Sequence, residues 1–313
     1  MTGSALRVAS VGECMIELRH RSDVELELGF GGDTLNFAVY LARLTRERNV
    51  HVDYVSALGD DEYSEQMLAF WRNEGIGCEH VARLEGRLPG LYTIRVDEEG
   101  ERTFTYWRSA SAARDMLRDG RAGRLETALA DHDLLYLSGI TLSILSPDQR
   151  KELCRLIETL RARGAKIAFD SNFRPAGWPD LDVARAVFDD VLRRTDIALP
   201  TLSDEHMLFG VEDPPQCAAR LHALGIAEVV IKLGRHGCYV SSEQFTGLLP
   251  AEPVERVVDS TAAGDSLNAG YLAARLIGRD PEAAGRLGNR LAARVISHRG
   301  AVIPAEAMAD VRL

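Results

Sequence analysis

Short apolar, β-branched runs alternate with segments whose apolar residues recur at helical spacing along nearly the whole chain. Residues 8–12 read as a buried strand, and residues 34–44 place Leu35, Val39 and Ala42 on one helical face. A second strand follows over 52–58, then a helix from Asp61, which serves as N-cap, to a stop at Gly75. The same rhythm predicts strands at 134–137, 166–169, 197–199 and 229–233. Helices are predicted at 147–163 (closed by Gly164), 183–194, 215–224 (closed by Gly225), 263–277 and 282–298. This alternation builds a parallel sheet with helices on both faces. One stretch departs from it. Residues 91–96 and 103–107 alternate with period 2 around the turn Asp97-Glu98-Glu99-Gly100, a hairpin signature. With extended segments near 15–28 it predicts a small sheet standing off the main one, placed to act as a lid.

Composition narrows the classes. At 313 residues, the chain suits either two domains or one large α/β domain with an appendage, and 46% hydrophobic with 27% charged residues is ordinary globular usage. A net charge of −10 disfavours nucleic acid and anionic membrane surfaces as partners. The most apolar window, 134–145, is too short to span a bilayer. Five scattered cysteines (Cys14, Cys78, Cys154, Cys217, Cys238) form no Cys-x-x-Cys pair and read as buried apolar residues of a reducing compartment. The expectation is a soluble cytoplasmic protein.

The segment richest in chemistry is Val257-Val258-Asp259-Ser260-Thr261-Ala262-Ala263-Gly264-Asp265-Ser266, where small residues open a helix. The first N–H groups of that helix lack internal acceptors and carry the positive end of its dipole, so Ala263 and Gly264 make an anion site. Asp265, beside that anion, can accept the proton of a hydroxyl nucleophile. The helix start is expected to make it a weak base, which suffices when orientation dominates. The alternative is a plain small-residue loop with a charge-favourable helix start.

Three further groups stand out. Lys232-Leu233-Gly234-Arg235-His236-Gly237 follows an apolar strand, and its glycines leave room for a flat or anionic group, although an ordinary hairpin turn explains it equally. Gly29-Phe30-Gly31-Gly32-Asp33-Thr34-Leu35-Asn36 precedes a helix on which Asp33 and Asn36 can face one polyhydroxyl substrate, or simply cap it. Polar residues gather on extended segments: Tyr92, Tyr106 and Arg108, with Asp170, Asn172 and Arg174 after a strand end. Two arginines suit a carboxylate, which a neutral sugar lacks. No catalytic triad is visible, the eight histidines show no metal-binding spacing, and no residue is assigned to a metal. Trp107 and Trp178 read as packing residues.

Gly31-Gly32-Asp33 with Asn36, then Lys232-Leu233-Gly234 with Gly237, then Asp259-Ser260-Thr261-Ala262-Ala263-Gly264-Asp265, in that order, resemble the ribokinase-like (phosphofructokinase B) sugar kinases over nearly the whole chain. Tyr106 with Arg108, and Ser171-Asn172-Phe173-Arg174-Pro175 with Trp178, are similar to the branch of that family acting on 2-keto-3-deoxygluconate.

The resemblance implies a single domain over 1–313, a three-layer α/β/α sandwich with a small β-sheet lid from about 13–30 and 88–110. It implies ATP and Mg2+, and transfer of phosphate to the terminal hydroxyl of the sugar acid to give the 6-phosphate. Asp265 matches the catalytic base, and Ala262, Ala263 and Gly264 match the anion hole. Asn172, Lys232, Gly234, Gly237 and Asn289 fall at nucleotide positions, as do the three anion-hole residues. Gly32, Asp33, Asn36, Tyr92, Tyr106, Arg108 and Arg174 match sugar positions. K+ is a further ion many relatives use, with Asp259 and Thr261 near it. Two departures stand out: Leu202 replaces the Asn of the family's Asn-x-x-Glu, leaving Glu205, and Ala262 replaces Gly, which predicts an anion hole of negative-φ residues. Alternatives are a fructokinase or ribokinase for neutral sugars, or a non-catalytic sugar sensor. Pairing of lids into a homo-oligomer is expected if their outer face is apolar.

Overall fold

The structure, a computed structural model, describes residues 5–96 and 102–313; the acidic turn at 97–100 lies outside the described residues. In chain order the elements are β1 (Leu6–Val11), β2 (Met15–His20), β3 (Leu26–Gly31), α1 (Asp33–Thr45), β4 (Val50–Leu58), α2 (Glu62–Asn73), β5 (Ile76–Gly77) and β6 (Val81–Arg83). The hairpin strands β7 (Gly90–Val96) and β8 (Arg102–Trp107) lead to α3 (Arg121–Ala128), β9 (Leu134–Ser138), α4 (Gly139–Ile144), α5 (Pro147–Ala162) and β10 (Lys166–Asp170). Then come α6 (Leu181–Leu192), β11 (Ile197–Ala198), α7 (Leu202–Phe209), α8 (Pro214–Ala223) and β12 (Glu228–Lys232). The antiparallel pair β13 (Cys238–Ser241) and β14 (Thr246–Leu249) precedes α9 (Ala263–Leu276) and α10 (Pro281–Ile296).

The main sheet runs β14-β13-β12-β11-β10-β9-β1-β4-β5, parallel from β12 to β5. Its central strands are apolar on both faces, as β9 and β12 show by burying every residue. One core cluster lies under α3 and α5 to α8, the other under α1, α2, α9 and α10, giving three layers. Several helices start at acidic or serine caps followed by proline: Ser146, Asp213 and Asp280 each accept an amide of the first turn.

A second sheet, β3-β2-β7-β8, leaves the carboxyl end of β1. Tyr92 and Ile94 are buried on it, while Leu26, Leu28, Phe104 and Trp107 are exposed. Trp107 is therefore not a packing residue, whereas Trp178 is buried against Phe188. Among the described residues no helix is long and apolar enough to cross a membrane. Four cysteines are buried and Cys78 is half-buried, none in a disulfide.

Candidate functional site

The carboxyl ends of β10 and β12 bring Asp170 and Lys232 together under the N-terminus of α9. Lys232 Nζ lies 2.7 Å from Asp170 Oδ2, and Asn268 of α9 donates Nδ2 to the same oxygen at 2.7 Å. Both members of the ion pair are buried. The lysine stem runs along Gly264, where an added Cβ would meet its terminal atoms at 3.5–3.7 Å. The ammonium thus sits beside the helix start, below the loop predicted to touch nucleotide.

Asp265, in the first turn of α9, is buried and accepts Asn36 Nδ2 at 2.8 Å. Asn36 Oδ1 is buried without a partner among the described residues. Burial pushes the Asp265 carboxyl up to about 7; Asp33 and Asp170 add to the rise, while the Asn36 bond and Lys232 oppose it. Where the helix terminus alone would make a weak base, burial beside Asp33 acts in the opposite direction. Asn172 ties the two acidic groups, donating Nδ2 to Asp33 Oδ2 at 2.7 Å and its backbone N–H to Asp170 Oδ1 at 3.1 Å. It does so from a left-handed backbone, φ 29°.

Ala262, the N-cap of α9, has φ 60° and ψ 13° and makes no side-chain cap. This overturns the expected negative-φ hole. A left-handed alanine is unfavourable by about 1–2 kcal/mol, yet it starts the helix so that its first amides face outward. The Ala263 N–H reaches Ser260 O only at 3.4 Å, and the next amides have no intrahelical acceptor. Asp259 holds the loop by accepting the amides of Thr261 and Gly300, each at 2.9 Å.

The turn after β12 uses Gly234 at φ 56° and Gly237 at φ 93°. A Cβ on Gly237 would lie 2.1 Å from Leu249 O, so only glycine allows that approach. Asn289 donates Nδ2 to Leu249 O and Pro250 O, both at 3.0 Å. Its amide nitrogen is thus engaged by the chain itself.

A separate group forms under the lid. Arg108 pairs with Glu13, whose side chain is fully buried, and Glu13 Oε1 and Arg108 Nε have no partner among the described residues. The Arg108 guanidinium lies 6.0 Å from the Tyr106 ring centroid. Burial raises the Tyr106 phenol, while the charges of Arg108 and Arg174 both act to lower it. Tyr92 is buried and its hydroxyl donates to Glu17. Gly32 serves close packing, since a Cβ there would fall 2.1 Å from Glu13 O. A cavity of about 1180 Å³, lined by Tyr106, Arg108, Arg87 and Arg114 among others, opens at this end and stops short of Asp265.

Sequence reasoning missed Glu13, Glu17 and Asn268, and gave Asp170 no role. The available signal was a carboxylate at the carboxyl end of each of strands β1 and β10, Glu13 two residues past the first and Asp170 closing the second. Leu202 packs on the apolar core, and Glu205 turns to Arg220 at 3.3 Å, its carboxyl pushed up to about 7 by burial. Its neighbour Asp204, raised by burial and by Asp170, faces the site and accepts the Phe173 N–H at 3.0 Å. His80 and His132, far apart in sequence, meet Asp53 in space.

The chain is similar to known proteins over nearly its whole length. The model of the pfkB family of carbohydrate kinases matches residues 5–308. The chain is 46% identical over 305 residues to the 2-dehydro-3-deoxygluconokinase of Escherichia coli K12, covering 96% of this chain and 98% of that protein. A PfkB protein of Polaromonas superposes with a TM-score of 0.84 at 27% identity, covering 98% of this chain and 100% of the other. A Xylella fastidiosa fructokinase solved with bound ATP shares the fold, with a TM-score of 0.81 at 20% identity, covering 96% of this chain and 94% of the other. With the family model spanning nearly its whole length, the chain belongs to the pfkB family of carbohydrate kinases, and it is a sugar kinase.

Proposed function

We propose that this sugar kinase transfers the γ-phosphoryl group of ATP to the terminal hydroxyl of 2-keto-3-deoxygluconate, giving the 6-phosphate and ADP. The observation that carries the reading is Asp265: a buried carboxylate, raised in basicity, in the first turn of a helix whose amides are open to an anion. Asp265 takes the proton as the hydroxyl oxygen bonds to phosphorus and the bridge to the β-phosphate breaks. The amides of Ala263 and Gly264, with Lys232 behind them, hold the charge on the transferred group. Asn36 and Asn172 orient Asp265 and Asp33 toward the sugar, and the four-stranded sheet closes over it. The turn at Gly234 and Gly237, with the segment Asn289 fastens, borders the nucleotide.

Asp33, Asp170, Asp204 and Asp265 outnumber the cations near them, Lys232 and Arg174, so the donor set fits a hard divalent ion. Mg2+, held from Asp170 and Asp204 through water, would neutralise phosphate charge when bound with the nucleotide. The choice of a sugar acid rests on the name of the 46% identical relative and on two arginines near Tyr106, of which Arg108 is already paired with Glu13 and Arg174 has no carboxylate partner among the described residues. The exposed Leu26, Leu28, Phe104 and Trp107 favour pairing of lids, which light scattering would detect as a dimer.

ADP release measured across sugar acids and neutral sugars tests the reading. Turnover with 2-keto-3-deoxygluconate far above that with fructose or ribose is expected. Equal turnover of fructose would make it a neutral-sugar kinase, and binding without ADP release a sensor.

A further inference from the structure

At the amino ends of the main-sheet strands, opposite the kinase site, three side chains from distant parts of the sequence converge. Asp53 lies on β4, His80 in the turn before β6, and His132 just before β9. One carboxylate oxygen and one nitrogen from each imidazole lie within 4.8 Å of one another. His132 Nε2 is 2.9 Å from Asp53 Oδ2, and the imidazole rings stand edge to face at 5.7 Å. His132 is 4% exposed, and its Nδ1 is buried with no partner among the described residues. His80 Nε2 is likewise buried and unpartnered. Buried polar nitrogens are ordinarily satisfied, so unpartnered imidazole nitrogens in a cluster where His132 turns Nε2 to a carboxylate ask for something to bind.

Space and donor chemistry are both present. A cavity of about 380 Å³ opens beside the cluster, lined by Arg7, Asp53, Gly77 and Glu79 among others. Gly77 keeps it open: a Cβ there would lie 2.0 Å from Asp53 Oδ1 and 2.9 Å from Glu79 Oε2. The second oxygen of Asp53 and the Glu79 carboxylate therefore border one space. Two imidazoles and a carboxylate suit Zn2+ and its neighbours, and disfavour Mg2+ and Ca2+, which take all-oxygen sets. Bonds of about 2.0–2.2 Å set tetrahedral ligand atoms ~3.3 Å apart. The His132–Asp53 pair is already near that spacing, and closure of the cluster requires a movement of at most about 1.5 Å. The rival for the site is internal. Arg7 reaches the same Asp53 oxygen at 3.3 Å from a side chain that is 43% exposed, so it can swing aside.

We propose that Asp53, His80 and His132 bind a divalent transition-metal ion of the Zn2+ class, with Glu79 and water completing its coordination. The ion staples β4 to the segment entering β9 and takes no part in phosphoryl transfer.

The full-length protein, stripped with a chelator, is titrated with Co2+ and then Zn2+ while the visible absorption of Co2+ is followed, with equilibrium dialysis giving stoichiometry. One equivalent of Co2+ with a tetrahedral spectrum, displaced by Zn2+, is expected. His80→Gln, which breaks no hydrogen bond of the fold, should weaken binding by about 100-fold, given that even outer partners of metal ligands contribute about 10–100-fold. Arg7→Met should tighten binding, because the competing guanidinium is gone. ADP release with each variant should match the parent. Absence of saturable uptake, or uptake unchanged in His80→Gln because the ion sits among the kinase carboxylates, would overturn the proposal.

Discussion

Replacing Asp265 by asparagine should damage turnover and stabilise the fold, and the two effects have one cause. The carboxyl is displaced from 3.8 to about 7 by burial beside Asp33, so holding it ionised in the folded state opposes folding. At 1.36 kcal/mol per tenfold in proton affinity, the displacement corresponds to ~4 kcal/mol at full ionisation. Because the folded value is raised, the folded state binds more protons than the unfolded chain between about pH 4 and 7, and stability falls as pH rises through that window. Above about pH 7 the penalty is complete; near pH 4 it vanishes. The amide keeps the shape and the Asn36 contact, but that bond loses a charged acceptor, which returns about 1–2 kcal/mol. A net gain of ~2 kcal/mol at pH 8 remains, or roughly 4 °C in melting temperature for a chain of this size. Turnover should fall by about three orders of magnitude, the share typical of a positioned general base, while ATP still binds. Calorimetry of parent and Asp265→Asn from pH 5 to pH 8, alongside ADP release, measures both. A variant no more stable than the parent at pH 8, or a difference that does not widen with pH, would refute the electrostatic account. Near-normal turnover would refute the assignment of the base.

Two further outcomes follow from the buried charges. Arg108→Lys removes a planar fork beside Tyr106 and should raise KM for 2-keto-3-deoxygluconate by about 10-fold or more while changing KM for a neutral sugar little; equal effects in steady-state kinetics would count against carboxylate recognition. Lys232→Met leaves Asp170 buried without its cation and should destabilise the protein by about 3–5 kcal/mol at neutral pH, read as a lower denaturation midpoint in urea.

The layered fold was legible because its cause is local. Strands buried on both faces read as unbroken apolar runs, and helices between them carry their caps in sequence, as at Asp61, which accepts the amides of Tyr63 and Ser64. Short elements escaped. β5 has only two residues and α4 lies inside an apolar stretch that could equally extend a strand. In the site, Asp33, Asn36 and Asp265 were visible because glycine-rich turns and a helix start flag them. Their partners were not. Arg108 meets Glu13 across 95 residues and His132 meets Asp53 across 79, so these pairings exist only once strand order is known. The Ala262 conformation was misread for a related reason: local propensity disfavours φ 60° for alanine, and tertiary packing imposes it.

That misreading has a physical pattern behind it. Among the described residues, left-handed backbone without glycine occurs at Asp119, Asn172 and Ala262. Asn172 uses it to aim one amide at Asp170 and another at Asp33, and Ala262 uses it to open the first turn of α9 beside Lys232 and Asp265. Of the buried carboxylates with raised proton affinity, Asp204 and Asp265 belong to the same surroundings, while Glu205 turns to Arg220. Strain and unfavourable charge thus fall together where three strand ends and a helix start meet, while the surrounding layers follow local preference. A fold tolerates such a concentration only if packing elsewhere fixes it. Groups held this way need little reorganisation when a nucleotide's terminal phosphate and an alcohol arrive between them, and preorganisation of this kind lowers the barrier to transfer.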